Sequence, residues 1–305
     1  MADFFNQMPA RAVAAGRRLL PKRWRRDTAV VPVVRLTGVI GISSPLRPGL
    51  TLAGIARTLD RAFNTRNAKA VALLINSPGG SAVQSHLIFQ RIRALAAEKN
   101  LRVFASVEDV AASGGYMIAC AADEIVCDPA SIVGSIGVIG ASFGFTEAIR
   151  KLGIERRVYT AGENKSTLDP FLPEKEEDVA RLKEIQNEIH AMFIDLVRTS
   201  RGERLTGPEK TLFSGEYWTA KTGLEYGVID RLIDLRAFLR ERYGKDVLTP
   251  LVSAERGLFG WRKPGVSGLG LERLPDGAGL LNGAGLVDDF ISAVESRSIW
   301  SRYGL

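Results

Sequence analysis

The chain has 305 residues, 46% of them hydrophobic and 25% charged, with a formal net charge of +7. That length and apolar content allow one large domain or two small ones around a sizeable core. The charge is not a nucleic-acid signature, because residues 1–30 hold seven Lys/Arg against Asp3 and Asp27, so five of the seven net charges sit in the first tenth of the chain.

Cys120 and Cys127 lack metal-ligand spacing and read as buried free thiols, which suits a reducing compartment. No uninterrupted apolar run is long enough to span a bilayer, and the N-terminus lacks the apolar centre of a signal peptide. The expected location is therefore cytoplasmic, with peripheral contact at the inner face of the cell membrane as an option. Residues 1–28 form a basic arm. Within 1–26, Phe5, Met8, Ala12, Ala15 and Leu19 follow helical spacing among arginines, as a membrane-surface helix would, while Pro9 and Pro21 favour a disordered tail.

The main domain is expected over 29–248. The β-branched run from Ala29 to Ile42 predicts a buried first strand, and 51–64 a helix with Leu52, Ile55, Leu59 and Phe63 on one face. Lys69 to Asn76 predicts a second strand ending in Ser77-Pro78-Gly79-Gly80-Ser81, then a helix carrying Val83, Leu87, Ile88, Ile92 and Leu95 towards a core. A third strand, Leu101 to Val107, leads through a short acidic link to Ala111-Ala112-Ser113-Gly114-Gly115 and a helix. Strand-helix alternation of this kind predicts an α/β fold with parallel strands and crossover helices.

Short β-prone pieces follow from Glu124 to Gly140, and Ile154 to Thr160 reads as one more strand. Pro173 with Glu174, Glu176, Glu177 and Asp178 is a helix start, and the helix runs to about Thr199 with Val179, Leu182, Ile185, Ile189, Phe193 and Leu196 as its stripe. A smaller module, Phe213 to Leu239, completes the globular part. Residues 249–285 read as a linker, since 256–285 hold nine glycines with Pro264 and Pro275. Residues 286–305 form a short amphipathic segment.

Three features combine into chemistry. Ser113 offers a hydroxyl at a strand-to-helix turn, Gly79-Gly80 offers backbone amides that can approach closely, and Lys165 lies on a polar loop. Acyl transfer needs a nucleophile, a base and donors for the developing oxyanion. Of the two histidines, His86 is the alternative base and His190 lies within a helix, and neither has a triad-like partner. A lysine base has to be neutral, so a pKa of about 10.4 must fall towards ~7 to 8 in a dry site. Tyr116, Met117, Phe171 and the segment Ile132 to Ile139 are candidate walls, and Ser135 in Gly134-Ser135-Ile136-Gly137 is a candidate for orienting the base. No metal or cofactor is called for.

In order and spacing, Asn76-Ser77-Pro78-Gly79-Gly80, Ala112-Ser113-Gly114-Gly115-Tyr116, Gly134-Ser135-Ile136-Gly137-Val138 and Lys165 with Pro170-Phe171 resemble the signal peptide peptidase A family, nearest to its single-domain, protease-SohB-like branch. The resemblance spans roughly Val31 to Asp234. It implies a Clp-protease/crotonase-like spiral of repeated β-β-α units assembled into a homo-oligomeric ring. It also implies Ser113 as nucleophile, Lys165 as general base, Ser135 as the residue holding the lysine, and the amides of Gly114 and of Gly79 or Gly80 as the oxyanion hole. The lysine can come from an adjacent catalytic domain in that family, and the implied substrates are signal-peptide remnants or other membrane-derived or unfolded peptides. Two departures stand out. The family's usual N-terminal transmembrane helix is replaced by the basic arm, and the histidine that Clp-protease relatives place soon after the serine is missing from Glu124 to Gly140. Two other readings stay open: an acyl-CoA-handling crotonase-type enzyme, and a non-catalytic ring scaffold.

Overall fold

The computed structural model describes residues 28–41, 49–162, 164–253, 294 and 297–305. The expected arm over 1–26 and most of the linker lie outside the described residues.

The order of elements is β1 (Val33–Thr37), α1 (Leu52–Phe63), β2 (Ala70–Ser77), α2 (Ala82–Lys99), β3 (Arg102–Ala112), α3 (Gly114–Ala119), β4 (Glu124–Cys127) and β5 (Ile132–Gly134). There follow α4 (Thr146–Lys151), α5 (Glu176–Arg201), α6 (Glu209–Leu212), β6 (Tyr217–Thr219), α7 (Ala220–Glu225), β7 (Arg231–Leu232), α8 (Leu235–Tyr243) and β8 (Leu251–Val252). The expected α/β class with parallel strands holds: one mixed sheet has the order β6-β5-β3-β2-β1-β8, parallel throughout except for the β5–β6 pair.

Local chemistry explains the starts and stops. The hydroxyl of Thr51 accepts from Gly54 N at 3.2 Å and opens α1, and Ser81 does the same for α2 from Gln84 N at 3.3 Å. Asn100, at φ 50°, closes α2 in the left-handed region that asparagine tolerates. β2 is buried on both faces, as a central parallel strand must be. One face carries Ile88, Ile92 and Leu95 of α2 with Leu59 and Phe63 of α1. On the other, Phe238 and Leu239 of α8 cover Ala72 and Phe104, with the Phe104 and Phe238 rings edge-on at 5.1 Å.

β3 departs from expectation. Glu108 and Asp109 do not end it; the strand runs eleven residues to Ala112, with a bulge at the acidic pair where the register against β2 shifts between Ile75–Val107 and Ser77–Ala111, and with Glu108 half-buried against Arg35 of β1. Its far edge forks. Phe104 to Val107 pair with β4, which continues to β7, while Val110 to Ala112 pair with β5, which continues to β6. The 213–239 module is thus part of this sheet and not a separate layer, and β8 extends the sheet past residue 248 by pairing with β1.

Other expectations are corrected. Ala29 to Ile42 shortens to Val33–Thr37, with single bridges at Val30 and Ile40. Val83 and Leu87 face solvent, and Ser85 and Ala96 take inward positions on α2 instead. Ile154 to Thr160 is not a strand: it pairs with no strand of the sheet, and Tyr159 is exposed. Helix α5 begins at Glu176, after Pro173, and only its second half is buried, through Phe193, Leu196 and Val197; Ile185 is exposed.

Candidate active site

Ser113 lies between the end of β3 and the start of α3, with φ 52° and ψ −122°, a backbone conformation that a non-glycine residue rarely adopts. Holding it costs of the order of 1–3 kcal/mol, which the surroundings must over-determine. They do so from both sides: Ser113 N donates to Gly134 O at 2.9 Å, and Met117 N donates to Ser113 O at 2.9 Å. The residues after the serine have to be glycine. A Cβ at Gly114 would collide with Ser85, whose hydroxyl is tied to Ser81 O at 2.8 Å, and one at Gly115 would run into the Ser77 carbonyl. Gly114 N is the first amide of α3 and so has no acceptor within the helix.

The floor beneath α3 is apolar and fixed. Tyr116 is fully buried and donates its hydroxyl to Val228 O at 2.7 Å, and burial raises its phenol well above the ordinary value. Val228 is held in turn by an ion pair that reading the sequence did not reveal. Arg201, buried at the end of α5, donates to Asp230 at 2.8 and 2.9 Å and also to Gly227 O. Asp230 accepts from Ile125 N of β4 at 2.7 Å. Burial pushes the Asp230 carboxyl up, but the hydrogen bonds and charge of Arg201 win and hold it below the usual carboxylate range.

The turn after β2 lies beside the serine. Ser77 donates its hydroxyl to Gly38 O at 2.7 Å and accepts from Gly79 N at 3.3 Å. Gly79, at φ 102°, passes so close that a Cβ there would lie 2.8 Å from the Ser113 Cβ and 3.0 Å from Gly114 N. Gly80, at φ 140°, bridges Ile40: Ile40 N donates to Gly79 O and Ser81 N to Ile40 O, both at 2.8 Å. That pattern turns the Gly80 N–H away from Ile40, towards the side on which β3 and its extension lie.

A third loop completes the rim. Gly134, whose carbonyl holds Ser113 N, packs on Trp218, and Ser135 follows at φ 54° with its amide bonded to Glu216 O at 2.6 Å. Ser135 Oγ accepts from the hydroxyl of Tyr303 at 3.3 Å, a contact with no signal in the sequence. The structure therefore gathers Ser113, Gly79, Gly80, Gly114 and Ser135 into one place.

Lys165 is joined to them by no hydrogen bond among the described residues. It is exposed on the turn Asn164 to Leu168, with its Cγ against Gly162, and among the described residues neither its amine nor the Ser113 hydroxyl makes a hydrogen bond. Of the expected walls, Tyr116, Met117 and Ile136 are buried, Phe171 is half-buried against Phe145, and Ile139 faces solvent. His86 stacks near Phe89 on α2 without reaching Ser113, and His190 Nε2 lies 3.1 Å from Ile136 O. Cys120 and Cys127 are buried free thiols as expected, and burial pushes Cys120 up to about 12. Among the described residues no helix is long and apolar enough to cross a membrane.

Comparison with known proteins adds to this geometry. The model of peptidase family S49 matches residues 96–243, the segment from the end of α2 through the serine turn to α8. A protein named Na(+)/H(+) antiporter NhaA from Brucella abortus is 52% identical over 290 residues, covering 95% of this chain and 39% of its own length. A SohB protease from Buchnera aphidicola is 32% identical over 160 residues, 52% of each chain. The chloroplastic serine protease SPPA of Arabidopsis thaliana is 31% identical over 205 residues, covering 66% of this chain and 30% of that one. The chain thus spans about a third to about half of the length of these relatives. The strained serine at the strand-to-helix turn lies inside the matched segment, so the part of the chain that carries the candidate site, residues 96–243, is the part that matches peptidase family S49.

Proposed function

We propose that this protein is a serine endopeptidase in which Ser113 attacks the peptide carbonyl and Lys165 takes its proton. The observation that carries the reading is the Ser113 backbone: an uncommon conformation, hydrogen-bonded on both sides, with the Ser113 Cβ and the first amide of α3 both beside Gly79. Attack converts the carbonyl oxygen into an oxyanion, for which Gly114 N and an amide of the Gly79-Gly80 turn are the donors. The serine proton passes to the neutral lysine and then to the leaving amine, and water repeats the sequence on the acyl-enzyme.

Lys165 has to reach Ser113 in a dry site for this to work. Its turn neighbours α4 and the exposed side chains Phe143, Phe145, Leu152 and Ile154, surface that a second subunit of a Clp-protease/crotonase-like ring would cover. The lysine then acts on its own serine or a neighbour's, with Ser135 holding its amine. Apolar, unfolded peptides are the substrates in this reading, signal-peptide remnants and membrane-derived fragments among them. The basic residues of 1–26 supply peripheral contact with an anionic membrane.

The test is labelling by a fluorophosphonate probe together with hydrolysis of an unfolded protein such as casein. Both should vanish in Ser113→Ala and Lys165→Ala, each still folded by circular dichroism. Full activity in Lys165→Ala would sink the dyad, and thioester turnover surviving Ser113→Ala would favour a crotonase-type enzyme.

A further inference from the structure

The segment 297–305 lies across the rim of the site, and its contacts are specific. The Tyr303 hydroxyl is 3.4 Å from Pro78 O and 3.3 Å from Ser135 Oγ, donating towards both. Pro78 precedes the glycine that touches Ser113, and Ser135 follows the glycine that holds Ser113 N. The Tyr303 ring packs edge-on against Tyr217 with centroids 5.0 Å apart, and Tyr217 donates its hydroxyl to Arg302 O at 3.0 Å. Tyr217 stands opposite Gly134 in the β5–β6 ladder, so the phenol is gripped by the same loop that shapes the serine turn. The ring is half-buried, and that desolvation raises its phenol above the ordinary value, keeping it neutral and a donor.

We propose that segment 297–305 is a built-in inhibitor of this site, with the Tyr303 side chain seated in a notch between Pro78, Ser135 and Tyr217 that a substrate chain or the base must enter. This rests on the peptidase reading, because two consequences follow from it. The phenol occupies Ser135 Oγ, the group assigned to holding the Lys165 amine, and its ring bridges the two loops between which a peptide must pass to present its carbonyl to Ser113. Both hydrogen bonds are long and share one hydrogen, so the closure is weak and reversible. Substrate and segment compete, which makes the segment a competitive inhibitor in cis.

The experiment uses the full chain, Tyr303→Ala, a variant lacking 297–305, and a synthetic nonapeptide of residues 297–305. Tyr303→Ala and the deletion should raise kcat/KM on casein-derived peptides by about tenfold, mainly through KM, and the added nonapeptide should restore inhibition competitively. Unchanged kcat/KM in both variants, with no inhibition by the nonapeptide, overturns the inference and leaves the peptidase reading intact. If no form hydrolyses peptide or takes the probe, the peptidase reading fails separately. Fluorescence anisotropy of the labelled nonapeptide on the shortened chain then decides the contact itself. Saturable binding that is weakened by Tyr217→Ala supports the seat, and none up to about 1 mM overturns it.

Discussion

Replacing Gly79 by alanine tests the serine turn most directly, because Gly38 provides a matched control. The two glycines have nearly the same φ, 102° and 107°, but a Cβ at Gly79 meets Ser113 Cβ at 2.8 Å whereas one at Gly38 meets nothing within 4 Å among the described residues. Gly38→Ala therefore carries backbone strain alone, about 1–3 kcal/mol. Gly79→Ala adds overpacking of about 1–3 kcal/mol against backbone that cannot rotate away. Relief to an ordinary 3.4 Å contact needs a separation of about 0.6 Å between the Gly79 turn and Ser113 in a close-packed interior. At about 2–4 °C per kcal/mol for a domain of this size, Gly38→Ala should lower Tm by ~2–12 °C and Gly79→Ala by about twice as much. Moving oxyanion donors by half an ångström or more should slow fluorophosphonate labelling of Ser113 by about 10- to 100-fold. Labelling of Gly38→Ala should stay within about twofold of the parent, as nothing near Ser113 has moved. Thermal melts and labelling time courses on both variants measure this. If the two are indistinguishable in Tm and in labelling, the claim that Gly79 is glycine because of its approach to Ser113 is refuted.

Truncating Asp230 to alanine leaves Arg201 charged and buried, and should cost about 3–5 kcal/mol in the urea-unfolding midpoint. Because the Asp230 carboxyl is held below its ordinary range, its contribution is complete above about pH 4 and is lost as pH falls through the lower folded value, so Tm should drop there in the parent and less steeply in Asp230→Asn. Tyr116→Phe removes the donor to Val228 O and should destabilise by about 1–3 kcal/mol without creating a cavity, read by the same unfolding curves. Native Cys120 should resist iodoacetamide at pH 8, with its thiol pushed up to about 12, and react only on unfolding; rapid native alkylation would contradict its burial.

Much of the site was legible because its parts are local. A serine between small residues after a β-branched run, and paired glycines after another, announce tight turns wherever they fold, and Ser113, Gly79, Gly80, Gly114 and Ser135 do converge. What escaped depends on distant partners. Glu108-Asp109 looks like a break but is a bulge inside one long strand, with Arg35, two strands away, paired to Glu108. Val83 and Leu87 look like core on α2 although Ser85 takes the inward position, because a close glycine helix leaves room only for a small side chain there. Arg201 with Asp230, and Tyr303 with Ser135, join residues 29 and 168 positions apart, and no periodicity marks such pairs. Ile154 to Thr160 has strand-like residues but pairs with no strand, so its pattern has no counterpart in the sheet.

The fork of β3 has a mechanical corollary. Its leading half is stitched to β4 and β7, its trailing half to β5 and β6, and Ser113 hangs from the trailing tip. Damage to the first branch should therefore unsettle the whole domain before it disturbs the serine, whereas small shifts in the second branch would be transmitted within one residue to the hydroxyl. Selection for speed and selection for durability can act on separate arms of one strand.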